Sequence, residues 1–144
     1  MRVGFAIVAW LFVAAVVYQV FLAGVGLFVP GADKFADHRA FGWMLHIAPL
    51  VVLLFAWGAH PGRTTMWLSG LLLLLVGIQP FLPLMRSDMP FAAALHPVNA
   101  LAIFAVGLTI ARRATSLARQ PSPVEASQSA ASSSPSPSPG DVIT

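Results

Sequence analysis

Two histidines, each paired with a glutamine at nearly the same spacing, are the residues of this 144-residue chain best placed to do chemistry. Gln19 precedes His38 by nineteen positions, and Gln79 precedes His96 by seventeen. The glutamines open similar tetrads, Gln19-Val-Phe-Leu and Gln79-Pro-Phe-Leu. Four positions after each histidine, one helical turn along the same face, stands a small residue, Gly42 or Ala100. Neutral imidazole is a good axial ligand, and two histidines facing each other across a helical bundle can grip haem iron from both sides. Small residues one turn away would leave room for a flat cofactor. The chain has no cysteine, which excludes disulfides, thiolate metal sites, iron–sulfur clusters and covalent haem attachment within it. The expected cofactor is therefore haem b or a relative, with His38 and His96 as metal ligands. Arg39 and Arg86 stand on the same side and could pair with propionates.

Other readings of these residues stay open. Histidine and glutamine within a membrane also serve as interhelical hydrogen-bond glue, at about 0.6 kcal/mol each. Another metal or a proton path would use the same side chains. Gln19 and Gln79 read as supports for the bundle or for the histidines, and Asn99 as glue. His46 lies eight residues after His38, about 12 Å deeper and turned by about 80°. It has no counterpart in the second repeat, where Phe104 stands, and it either touches the cofactor or bonds near Pro49. His60, beside Pro61 and Gly62, reads as a solvated turn residue.

The elements that must position these groups are written in the composition. The chain is 58% hydrophobic and 9% charged, where a soluble domain carries about 25% charged residues. Val3–Val29, Ala40–Ala59, Thr64–Met85 and Met89–Ala111 contain no Asp, Glu, Lys or Arg. Each meets the roughly 20 residues a bilayer-spanning helix needs, and none alternates as a barrel strand would. The expected fold is all-α: an up-down four-helix transmembrane bundle made of two repeated helical hairpins, with spans at about 4–29, 36–59, 64–85 and 90–112. Repeated hairpins place a site between them. On this register His38 lies about 6 Å and His96 about 9 Å from the outer ends of their helices. Pro49, Pro80, Pro83 and Pro97 fall within spans, and kinks at Pro80 and Pro97 could widen the bundle there.

Arg2, Arg63, Arg112, Arg113 and Arg119 fall on one side, against Lys34, Arg39 and Arg86 on the other. The positive-inside rule then places both termini in the cytoplasm of a bacterial-type plasma membrane. Trp57 and Trp67 flank the cytoplasmic hairpin, at headgroup level. The first run follows Arg2 as in a signal peptide, but it exceeds a typical apolar signal core and carries Gln19. Residues 1–119 form the expected membrane domain. Residues 120–144, rich in Ser and Pro, read as a disordered tail. The high isoelectric point comes without a basic stripe or aromatic platform, so nucleic acid is not an expected partner.

The run His38-Arg39-Ala40-Phe41-Gly42-Trp43 resembles the His-Arg start of the corresponding helix in haem A synthases, and Gly70 through Gln79 to His96 and Ala100 resembles that family's third-to-fourth-helix segment. The resemblance covers about residues 5–113 and corresponds to one four-helix half, which in that family holds a haem with a histidine pair. The family's second helix also carries a glutamate shortly before its histidine, implicated in oxidising the haem methyl group. Here the neighbourhood is Phe35-Ala36-Asp37, and the family's loop cysteines are absent. The resemblance therefore implies a haem-holding bundle rather than haem A synthesis by this chain alone. The chain is also similar to small bacterial four-helix membrane proteins of unknown function.

The leading expectation is a b-type cytochrome-like protein serving electron transfer or haem handling. No catalytic residue is assigned, since iron held between two histidines keeps no open position for substrate. The lipid bilayer is one partner, and another membrane redox protein or a second copy of the chain is the expected protein partner. The rival is a cofactor-free membrane scaffold or assembly subunit. A transporter fits less well, because no acid lies deep in any span.

Overall fold

A computed structural model describes residues 1–31 and 33–121; the expected disordered tail lies almost wholly outside them. Among the described residues there are no strands, and four helices, Arg2–Phe28, Ala36–Ala59, Arg63–Leu84 and Pro90–Ala118, are long and apolar enough to cross a membrane. Short turns make neighbours antiparallel, so the four form an up-down bundle. The first helix packs on the second and fourth, and the third packs on the second and fourth, which closes the square. The chain is a multi-pass membrane protein whose outer faces meet lipid. One end of the bundle carries Arg2, Arg63, Arg112, Arg113 and Arg119, and the other carries both histidines of the repeat.

Helix bounds follow the charge-free runs closely except at the last. The fourth helix continues six residues beyond 112, to Ala118. Arg112 and Arg113 end the apolar run, but arginine is a good helix former and continues the helix into the headgroup region.

Only the first helix is unbroken. The second breaks at His46–Ile47, the third at Gln79–Pro80 and the fourth at Ala94. Proline supplies the cause: it removes an N–H and crowds the carbonyl four residues back. Pro49, Pro80 and Pro97 each stand within three residues of a break. All three breaks fall in the half of the bundle that holds the histidines.

That half also holds fewer buried residues. The buried core is built from Phe5, Ala9, Phe12, Val16, Val52, Leu72, Val76, Ile103, Ile110 and Ala114, towards the arginine-rich end. Small residues let the backbones close there, as membrane helices require; a Cβ on Gly107 would come within 3.0 Å of the Phe12 ring. At the histidine end no residue of Ala36–Leu45, Phe81–Leu84 or Pro90–Ala93 is buried, and the fourth helix buries nothing before Ile103. Only Leu22 and Gly26 of the first helix continue the core in that direction. Gly26 is needed there: a Cβ would lie 2.9 Å from the backbone nitrogen of Phe35, which holds a left-handed turn at φ 66°.

Candidate functional site

The Gln–His repeat folds into two copies of one hydrogen-bonded clasp. In the first hairpin the Gln19 side-chain amide donates to the His38 carbonyl at 2.8 Å, and His38 Nδ1 donates to the Gln19 carbonyl at 3.0 Å. In the second, the Gln79 amide donates to the His96 carbonyl at 3.0 Å, and His96 Nδ1 donates to the Gln79 carbonyl at 3.1 Å. Each side chain satisfies the other's backbone across a helix pair. The spacings of nineteen and seventeen give the same geometry because the two turns differ by two residues.

The backbone explains why Gln79 offers its carbonyl. An interior helical carbonyl normally accepts from the N–H four residues on. Four residues after Gln79 is Pro83, which has none. The His96 imidazole fills that place. One turn earlier the same logic repeats: Pro80 cannot donate to Val76, so the Gln79 N–H turns to the Val76 carbonyl at 3.3 Å. The Leu75 carbonyl, left by Gln79, accepts instead from Asn99 Nδ2 at 2.9 Å. Asn99 Nδ2 spends its second hydrogen on Gln79 Oε1. Carbonyls only accept, so these contacts fix both amides without ambiguity.

They fix the histidines as well. An Nδ1 that faces a carbonyl carries the proton in the neutral ring, so the lone pair sits on Nε2 of both His38 and His96. The two rings converge from separate hairpins, with centroids 6.1 Å apart and planes at 70°. Both are half-buried, and the Phe35 ring packs edge-on against His38. A metal bonded to both rings at about 2.0 Å would separate their centres by about 6 Å. The observed centroid separation is of that size. Haem iron asks only two ligands of the protein, and among the described residues no group of three or more His, Asp or Glu stands together.

The hairpins are not equivalent in detail. The position of Asn99 in the second is taken by Phe41 in the first, whose ring meets Tyr18 edge-on at 5.0 Å. Gln19 Oε1 consequently lacks the donor that Gln79 Oε1 has, and is buried without a partner. Gln19 Nε2 also comes within 3.4 Å of His38 Nε2, at the long limit of a hydrogen bond.

The remaining site residues fall as follows. Gly42 was expected to leave space for a cofactor; instead its face is filled by the Gln19 amide, whose nitrogen would lie 2.8 Å from a Cβ placed there. Glycine is what lets the first clasp close. Ala100 is half-buried on the corresponding face of the fourth helix. His46 bonds neither histidine of the pair. Its Nδ1 donates to the Gly42 carbonyl at 2.6 Å, not near Pro49 as expected, because the helix is breaking there and the His46 N–H has turned to Trp43. The His46 ring lies against Trp43, and its Nε2 is buried without a partner. Arg39 is exposed and donates to the Lys34 carbonyl at 3.0 Å, and Arg86 is exposed at the same end. His60 is exposed in its turn with φ 52°. Asn99 is the interhelical glue expected of it, bonding the fourth helix to the third at the Leu75 carbonyl and Gln79 Oε1; Pro80 frees the Leu75 carbonyl that it meets.

Residues 19–85 match a family of unknown function (DUF6220). The matched segment runs from Gln19 past Gln79, so it holds the first clasp whole and stops before His96. Comparison with curated proteins finds no match, and comparison with solved structures finds none.

The close fit at Gly42 sets up a paired test. Gly42→Ala should lower the melting temperature in detergent by several degrees, because the methyl group displaces the Gln19 amide from its bond to the His38 carbonyl, at about 1–3 kcal/mol. Gly70→Ala, where nothing lies within 4 Å of an added Cβ, should leave it unchanged or slightly raised. Equal effects of the two would contradict the clasp.

Proposed function

We propose that this chain is a b-type cytochrome-like membrane protein that holds one haem between His38 and His96, for electron transfer or haem handling. The observation that carries the reading is the approach of two repeat-related imidazoles to 6.1 Å, each bonded at Nδ1 to a backbone carbonyl, so that Nε2 carries the lone pair. Bound haem would supply a one-electron iron couple. The chain's own contribution is orientation: a carbonyl accepting from Nδ1 fixes the ring and raises the basicity of Nε2. Arg39 and Arg86 put positive charge at that end, where propionates would meet it. The resemblance to one half of the haem A synthases points the same way.

One contact favours the rival reading, a cofactor-free scaffold or assembly subunit. The Gln19 amide at 3.4 Å gives His38 Nε2 a partner of its own. Visible spectra of detergent-purified protein, oxidised and dithionite-reduced, separate the two. The cytochrome reading predicts a Soret band with sharp reduced α and β bands, lost in both His38→Ala and His96→Ala. A wild type that stays colourless when haem is supplied during expression would refute it and favour the scaffold.

For orientation, five arginines at one end against three basic residues at the other support cytoplasmic termini in a bacterial-type plasma membrane. A fluorescent protein fused after Thr144 should then fold and fluoresce in the cytoplasm; an alkaline phosphatase fusion active at the same point would reverse the assignment.

A further inference from the structure

At the end of the bundle opposite the histidines, the surface between the first and fourth helices carries a cleft of about 290 Å³ lined by Trp10, Arg112, Thr115, Ser116 and Arg119. We infer that this cleft binds the phosphate group of an anionic phospholipid.

The walls are built for it by sequence. Arg112, Ser116 and Arg119 recur at intervals of four and three, which brings them to one helical face. Trp10 crosses from the first helix and donates Nε1–H to Thr115 Oγ1 at 2.9 Å. Thr115 in turn donates to the Ala111 carbonyl at 2.9 Å. This relay fixes the indole against the fourth helix, where it lines the cleft together with Arg112, Ser116 and Arg119. Arg112, Ser116, Arg119 and Trp10 are all exposed. Nearby, Arg2 donates to the Gln120 carbonyl at 3.5 Å and adds positive charge. Among the described residues, the acids Asp33, Asp37 and Asp88 all lie at the opposite end of the bundle.

The chemistry selects a phosphate. Guanidinium presents paired N–H donors that match phosphate oxygens, and a site between helices at the headgroup level is where anionic lipid heads are held. Long stems let Arg112 keep its charge at the interface while its backbone stays within the helix. The surroundings select a lipid over free phosphate. Beside the cleft the first helix presents Val3, Ile7 and Leu11, each more than half exposed, a surface suited to acyl chains. The site is independent of the histidine pair, which lies at the other end.

The test uses the full chain in detergent, read by thermal melting with added lipid. Phosphatidylglycerol should raise the melting temperature by several degrees, since a ligand that binds only the folded state stabilises it. Phosphatidylcholine with the same chains, and inorganic phosphate, should not. The response should vanish in Arg112→Gln/Arg119→Gln and persist in Lys34→Gln/Arg86→Gln, which removes as much charge from the opposite end. An undiminished response in the first double variant overturns the site. A matching shift with inorganic phosphate overturns the lipid assignment. Should Arg112→Gln/Arg119→Gln fail to fold, native mass spectrometry of the wild type from an equal mixture of the two lipids decides. Retained phosphatidylglycerol supports the site, and retention without preference overturns it.

Discussion

A backbone carbonyl in hydrocarbon must find a donor, and the histidine end of this bundle is organised around that requirement. Water cannot enter to satisfy a freed group at membrane depth, so a proline that removes an N–H creates a demand on its neighbours. Pro83 creates it at Gln79, and the His96 imidazole answers. Pro80 creates it one turn earlier, and the Gln79 N–H and Asn99 answer. Meeting the demand fixes more than a hydrogen bond. It fixes the tautomer of the imidazole, so the ring nitrogen left over is the one that can coordinate. In the first hairpin no proline stands four residues after Gln19, yet the same clasp forms, because a carbonyl has two lone pairs and Gly42 lets the amide come close.

The two ends of the bundle divide the work. Small residues and fully buried side chains such as Phe5, Leu72 and Ile110 lock the helices together towards the arginine-rich end. The histidine end then need bury little to stay assembled, and its broken helices and clasps hold the two rings 6.1 Å apart. Placing the breaks away from the core keeps the irregular backbone where side chains of the same chain can satisfy it.

The fold was legible in the sequence because charge-free runs of membrane length leave few alternatives, and short links force antiparallel neighbours. The Gln–His pairing was legible as a repeat, but its meaning was only partly so. Spacing shows that Gln19 and His38 share a level, and does not show that each bonds the other's backbone. Gly42 illustrates the limit: a small residue on the histidine face reads equally as space for a cofactor or as space for a neighbour's amide, and only packing decides for Gln19. His46 was hard to place because its bond to Gly42 depends on where the helix breaks. The arginine cleft is not legible in the sequence because one of its walls comes from Trp10, more than a hundred residues from Arg112 in the chain.

The central claim is that His38 and His96 act together on one metal centre. Low-temperature electron paramagnetic resonance of the ferric, haem-loaded protein tests it most directly, because spin state reports the number of strong axial ligands. We predict a single low-spin species, lost in His38→Ala and in His96→Ala. A high-spin signal in the wild type would mean that at most one histidine reaches the iron, and would contradict the account.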